Sequence, residues 1–166
     1  MGSIIETHFE QSNINVICNE ILSSLKGFKD KHGLYIIIPR NKEVLEKICK
    51  KLNYEYRSNI AYIGKGAKTK SSNLFVRSKQ EMGWSNFEGA TFVRKIGRYL
   101  DCDIHDKIDK EQRERTRSFI CSNFTIECWV FPYDTDLLKK ETEFINKFHP
   151  CLNDKKTNNL KGFTIL

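Results

Sequence analysis

The sequence predicts an α+β domain in which a small, mostly antiparallel β-sheet of about three strands is flanked by helices. Three observations lead there. Two short runs rich in β-branched and aromatic residues, Leu34 to Ile38 and Ile60 to Ile63, lie in the first half of the chain. Near the end, Phe124, Ile126, Cys128 and Val130 alternate with Thr125, Glu127, Trp129 and Phe131, the period of a strand. Elsewhere apolar residues recur at spacings of three and four, the period of helices with one buried face. The 166 residues contain no internal repeat and no Pro/Gly-rich linker, so one domain is expected.

Taken in order, the first helix starts at Ser12 and runs to about residue 28, with Ile14, Ile17, Ile21, Leu25 and Phe28 on its buried face. Gly33 opens the first strand and Pro39 closes it. Asn41 caps a helix over residues 42 to 52, whose apolar face is Val44, Ile48 and Leu52. After the second strand, residues 64 to 72 form a small, polar, basic loop, and Asn73 caps a helix reaching about Gln80. The next helix, from about Ala90 to Leu100, turns Phe92, Val93, Ile96, Tyr99 and Leu100 inward and Arg94, Lys95 and Arg98 outward. The charged stretch from Asp106 to Ser122 reads as helical. Asp134 caps a last helix that Pro150 ends.

Composition excludes several classes. No apolar run approaches the ~18 residues of a membrane span, and the start of the chain lacks the basic-then-apolar plan of a leader, so a cytoplasmic location without membrane attachment is expected. Six cysteines occur without a C-x-x-C pair, and four histidines lack ligand spacing, which argues against a zinc knuckle or a dithiol redox motif. The formal net charge is +7. Its distribution is uneven: between residues 62 and 98, Lys65, Lys68, Lys70, Arg77, Lys79, Arg94, Lys95 and Arg98 face only Glu81 and Glu88. Such a run is either a solvated surface or a track for a polyanion.

One carboxylate stands out by position. On the last helix, Leu137, Glu141, Phe144 and Phe148 follow one another at spacings of four, three and four, which puts Glu141 inside the apolar stripe. A carboxylate aimed at a core must be hydrogen-bonded, ion-paired or bound to a metal. Spacing alone leaves a metal ligand and a salt bridge, with Arg77 as a candidate partner, on equal footing.

The order of short motifs decides further. Gly33-Leu34-Tyr35 and Tyr62-Ile63-Gly64 are followed by Lys65, by Asn73-Leu74-Phe75-Val76-Arg77, and by Glu141 with Ile145, Pro150 and Asn153 at fixed distances after it. This series, over residues 33 to 153, resembles the GIY-YIG nucleases. The resemblance implies a GIY-YIG endonuclease-like fold with a helical extension over residues 1 to 32, a catalytic domain over 33 to 153 and a tail over 154 to 166. It implies a metal-dependent endonuclease that hydrolyses phosphodiester bonds with inversion, acting on DNA, with RNA or binding without turnover as alternatives, as a monomer or homodimer. Its catalytic set would be Tyr35, Tyr62, Lys65, Arg77, Glu141 and Asn153, with Glu141 as the metal ligand for one Mg²⁺ or Mn²⁺ ion per site.

A tyrosine would act as base, either Tyr35 or Tyr62, and the neighbouring Lys65 and Arg77 are expected to favour its phenolate over the free-phenol pKa of ~10. Lys68, Lys70, Lys79, Arg94, Lys95 and Arg98 are the candidates for phosphate contacts. Trp84 and Phe87 would either anchor a loop in the core or stack on bases. Three departures stand against the family pattern, one being an interval from Tyr62 to Arg77 that is longer than usual. Tyr35 and Tyr62 are farther apart than usual, with the Asn41 helix between them, an insertion that costs little loop entropy. Where many members carry a histidine one turn after the arginine, this chain has Glu81, a second acid expected to disturb the base or the metal.

Overall fold

A computed structural model of the protein describes residues 2–69, 72–85, 89–102 and 110–153, with side chains from Asn13 onward. Lys70, Phe87 and the 154–166 tail fall outside these residues. The elements in order are α1 (Gly2–Leu25), a 3-10 turn (Lys26–Phe28), β1 (Gly33–Pro39), α2 (Lys42–Leu52), β2 (Tyr62–Gly66), α3 (Leu74–Glu81), α4 (Thr91–Tyr99), α5 (Lys110–Asn123), β3 (Phe124–Val130) and α6 (Leu137–Phe148). The three strands form one antiparallel sheet in the order β2-β1-β3, as the fold class anticipated.

Register fixes which side chains share a face. Tyr35 lies opposite Gly64 on β2 and Cys128 on β3, and Ile37 lies opposite Tyr62 and Ile126. This face carries the main core, where Tyr35, Ile37, Leu45, Ile48, Phe92, Ile96 and Phe124 are buried together. Because side chains alternate along a strand, Ile36 and Ile63 point the other way, and Ile145 of α6 covers them. Helices therefore cover both faces, and α6 is alone on the second among the described residues in meeting β1 and β2 there.

Capping follows the sequence closely, with one shift. The Asn41 side chain accepts from the Glu43 amide, and Asn73 from the Val76 amide. For α6 the cap is Asp136, which accepts from the Lys139 amide, and not Asp134. The Thr135 amide bonds back to the Pro132 carbonyl, so Asp134 sits inside that turn, before the helix starts. Ser12 likewise does not start α1, which begins at Gly2; no Pro or Gly interrupts residues 3 to 11, so nothing stops the helix from extending. Its buried Cys18 and Leu25 join the main core beside α5.

The second strand starts two residues later than its apolar run suggests. The carbonyls of Ile60 and Ala61 accept from the Cys151 and Leu152 amides at 3.0 and 2.8 Å, while the Ala61 amide donates to the Ile37 carbonyl of β1 at 2.8 Å. Val130 is half exposed at the end of β3.

Lys95 corrects a sequence reading. It was expected on the outward face of α4, but it is 6% exposed; its ammonium donates to the Leu152 carbonyl at 2.6 Å and lies 4.7 Å from the Tyr54 ring centre. Five of the nine α4 residues are buried, so the helix is enclosed more widely than one apolar stripe implies, and a long lysine stem reaches a carbonyl through that enclosure. Lys95→Ala should lower stability by about 2 kcal/mol, since it removes packing and leaves a buried carbonyl unpaired. Arg94→Ala, at an exposed position, should leave the melting temperature unchanged; thermal denaturation of the two variants side by side checks this contrast.

Candidate active site

β2, the outer strand of the described sheet, borders a cavity of about 360 Å³ lined by side chains from four elements: Tyr35 of β1, Tyr62 and Lys65 of β2, Arg77 of α3 and Glu141 of α6. Tyr62 and Lys65 point to opposite faces of the strand, and only at a sheet edge can residues of both faces border one opening. Two glycines make the packing possible. A Cβ on Gly64 would fall onto the hydroxyl and ring of Tyr35, which crosses over it. A Cβ on Gly66 would come within 2.6 Å of the Leu74 backbone nitrogen, so the bare backbone lets the start of α3 approach the strand and bring Arg77 to the cavity.

Tyr35 is 1% exposed and stacks on Tyr62 with ring centres 6.3 Å apart; Tyr62 in turn meets Phe92 at 6.0 Å. Burial is the main cause that pushes the Tyr35 phenol well above its ordinary range, followed by the negative charge of Glu81 and by Tyr62; Arg77 pulls the other way and loses. Tyr62 is also raised, by burial first and Glu81 second. This corrects the expectation that nearby cations favour a phenolate. Desolvation outweighs them, which favours the neutral phenol at both tyrosines.

Glu141 keeps a side chain that is 14% exposed, and its Oε1 lies 3.5 Å from the Lys65 ammonium. The ion pair is with Lys65, not with Arg77. Burial raises the Glu141 carboxyl above its usual range, with Lys65 and then Arg77 pulling it down by less. Arg77 is braced from behind: Nη1 donates to Gln80 Oε1 at 2.9 Å and Nη2 to the Gly89 carbonyl at 3.2 Å. Asn153 stands one layer away. Its Oδ1 accepts from the Ile63 amide at 3.0 Å and its Nδ2 donates to the Ile63 carbonyl at 2.9 Å, so the side chain pairs with β2 as a neighbouring strand would.

Glu81 is the residue whose place the sequence did not disclose. It is fully buried, and Oε1 accepts from the Phe92 amide at 3.2 Å and the Val93 amide at 3.5 Å. It thus caps α4, whose own N-cap residue Ala90 has no side-chain hydrogen bond to offer. The Tyr35 hydroxyl donates to its Oε2 at 3.4 Å. The only sequence signal for this was its occupation of a motif position where another polar residue is usual.

The other basic candidates are dispersed. Lys68 is exposed, with its ammonium 4.8 Å from the Tyr133 ring centre, and Lys79 lies 5.5 Å from that of Phe75. Arg94 and Arg98 are exposed on α4. Trp84 packs against the core with Arg117 over its ring at 5.5 Å, the anchoring alternative for that residue.

For a metal, the relevant donor is a single carboxylate. Among the described residues no group of three or more His, Cys, Asp or Glu could hold an ion. A lone, partly accessible carboxylate at a polar cavity fits an ion that keeps most of its water shell, which is the habit of Mg²⁺, and does not fit a structural zinc.

An antiparallel three-stranded sheet with cations, tyrosines and one carboxylate converging at its edge defines a class of catalytic domain suited to a phosphate-rich polymer. The chain belongs to the GIY-YIG family: the family model described as the GIY-YIG catalytic domain matches residues 33–164. Comparison with curated proteins and with solved structures gave no match. Membership suggests nuclease activity on a nucleic-acid substrate, in a family that generally uses divalent metals. The helix α1 precedes the matched segment. No described helix is long and apolar enough to cross a membrane.

Proposed function

We propose that the protein is a metal-dependent endonuclease that hydrolyses DNA phosphodiester bonds at the cavity beside β2. The observation that carries this reading is the convergence of Tyr35, Tyr62, Lys65, Arg77 and Glu141, far apart in sequence, on one opening. Glu141 would hold a single divalent ion, Mg²⁺ or Mn²⁺, which when bound supplies positive charge against the phosphoryl group.

The chain's own groups do the rest. Arg77, held by Gln80 and Gly89, presents a planar fork suited to phosphate oxygens, and Lys65 adds a second cation beside them. Tyr35 receives the proton of the attacking water. It is the tyrosine with a hydrogen-bonded carboxylate behind it, which lets it pass its own proton on as it gains one. Tyr62, stacked on Tyr35, shapes the wall of the pocket. Asn153 keeps β2, and with it Lys65 and Tyr62, in register. Exposed Lys68, Arg94 and Arg98 offer contacts to the flanking backbone.

The test offers supercoiled plasmid and a single-stranded RNA to the same preparation with Mg²⁺, Mn²⁺ or EDTA, beside a Glu141→Ala variant. Metal-dependent nicking by the wild type that the variant lacks is the expected result. Cleavage of RNA alone would make the enzyme a ribonuclease. Equal cleavage by both proteins, or gel-shift binding without cleavage of either polymer, would overturn the endonuclease reading.

A further inference from the structure

We infer that Glu81 is the positioning residue through which Tyr35 works: its carboxylate, fixed by the first amides of α4, orients the Tyr35 hydroxyl and takes up its proton as Tyr35 deprotonates the attacking water. This rests on the endonuclease reading. It goes beyond that reading by assigning a role to a residue that lines no part of the cavity.

The geometry divides the carboxylate into two halves. Oε1 faces the helix, accepting from Phe92 and Val93; Oε2 faces the sheet, accepting from the Tyr35 hydroxyl at 3.4 Å, with the Phe92 amide a second contact at the same distance. The helix half explains why a fully buried acid survives at 0% exposure, since the N-terminus of a helix carries partial positive charge and unpaired amides. The sheet half has no such structural necessity. A buried tyrosine hydroxyl needs one partner, and a main-chain carbonyl would satisfy it. A carboxylate differs from a carbonyl in one respect that matters for chemistry: it can accept the proton outright.

The surroundings favour that exchange. Around Glu81 stand the Tyr35 and Tyr62 hydroxyls from the sheet, the Arg77 guanidinium one turn earlier on α3, and the amides of α4; Glu141 acts on both tyrosines from α6 and is itself partnered by Lys65. Burial pushes the Glu81 carboxyl up to about 7, with the α4 amides, Arg77 and Tyr35 opposing. A proton acceptor of that strength suits neutral pH. The step balances as follows. The water oxygen forms a bond to phosphorus, and its proton goes to the Tyr35 oxygen. The Tyr35 proton goes to Glu81 Oε2, and the phosphorus bond to the leaving oxygen breaks with its electron pair on that oxygen, which takes a proton from solvent water. Tyr35 is neutral before and after, which removes the difficulty of forming a phenolate in a site that disfavours one. After product release the proton returns through Tyr35 to water.

Glu81→Gln separates the two halves. The amide oxygen still accepts from Phe92 and Val93, so α4 stays capped, while the amide NH₂ now donates toward Tyr35 and accepts no proton. Two measurements on the full chain are expected to move together. In a metal-dependent cleavage assay, wild-type kcat should rise with pH through about 7, and Glu81→Gln should lose about 10² in kcat at pH 8 with KM little changed and that rise abolished. Glu81→Asp should recover part of the loss. Independently of turnover, the ring Cζ resonance of Tyr35, labelled with ¹³C and assigned by Tyr35→Phe, should shift through the same pH midpoint in the wild type and stay flat in Glu81→Gln.

A Glu81→Gln enzyme with wild-type kcat and pH profile overturns the inference, as does a Tyr35 resonance indifferent to the substitution. If the wild type cleaves nothing under any metal, the endonuclease reading falls and the proton-transfer role with it. The tyrosine titration then decides whether the hydrogen-bonded pair itself stands.

Discussion

Replacing Glu141 with Gln should reduce cleavage by about 10³-fold or more, about 4 kcal/mol of transition-state stabilisation, without lowering the stability of the protein. The two outcomes together separate a ligand from a structural ion pair. If the Lys65–Glu141 pair at 3.5 Å existed to hold α6 on the sheet, its loss would lower the melting temperature and leave chemistry intact. The direction of the Glu141 shift argues otherwise, because burial raises its carboxyl by more than Lys65 and Arg77 lower it. A carboxyl whose folded pKa exceeds its unfolded value contributes stability below the unfolded pKa and loses it as pH rises through the folded one. At neutral pH the charged side chain is therefore a net burden, which Gln removes. Thermal melts in EDTA should show Glu141→Gln equal to or above the wild type at pH 7, and the difference should shrink toward pH 4. A clear drop in melting temperature at pH 7 with retained cleavage would sink the assignment.

Asn153→Ala should be the most destabilising single change near the site, at about 3 kcal/mol. Asn153 is 3% exposed, and its side chain supplies both a donor and an acceptor to Ile63, on a strand that no further strand pairs among the described residues. Deleting it leaves a buried amide and a buried carbonyl unsatisfied, each costing about 1–3 kcal/mol. For a chain of 166 residues that corresponds to a fall of roughly 6–12 °C in melting temperature. Asp at the same place should do no better than Ala, since it keeps the acceptor but turns a second oxygen toward the Ile63 carbonyl. Because β2 carries Tyr62 and Lys65, cleavage should fall as well, with the loss partly recovered at lower temperature as the strand regains order. A variant as stable as the wild type would mean that water substitutes fully for the amide.

Much of this molecule is legible in one dimension. The three strands, the two asparagine caps and the inward turn of Phe92, Val93 and Ile96 on α4 follow from periodicity and from residues that act on their immediate neighbours, whereas α2 buries Leu45 and Cys49 beside Ile48 and leaves the expected Val44 and Leu52 half-buried. Glu141 could be singled out for the same reason, since a carboxylate within an apolar stripe marks itself by local spacing. Readings failed where a side chain's partner lay far along the chain. Lys95 has the outward spacing of its neighbours Arg94 and Arg98, yet its ammonium ends at Leu152, 57 residues away. A smaller, local miss is the cap of α6, which is Asp136 because Asp134 sits inside the Pro132–Thr135 turn.

The sequence by itself determined the family and the fold class, because these depend on pattern and order, and it marked Glu141 as the candidate to hold a metal. Only the tertiary structure decided the protonation logic of the site. Whether Tyr35 and Tyr62 are phenols or phenolates is a contest between burial and surrounding charge, and burial arises from helices contributed by the whole chain. The same packing turned Glu81 from a disturbance at a motif position into the cap of α4 and the partner of Tyr35, since two residues 46 positions apart give no sign in the sequence that they meet.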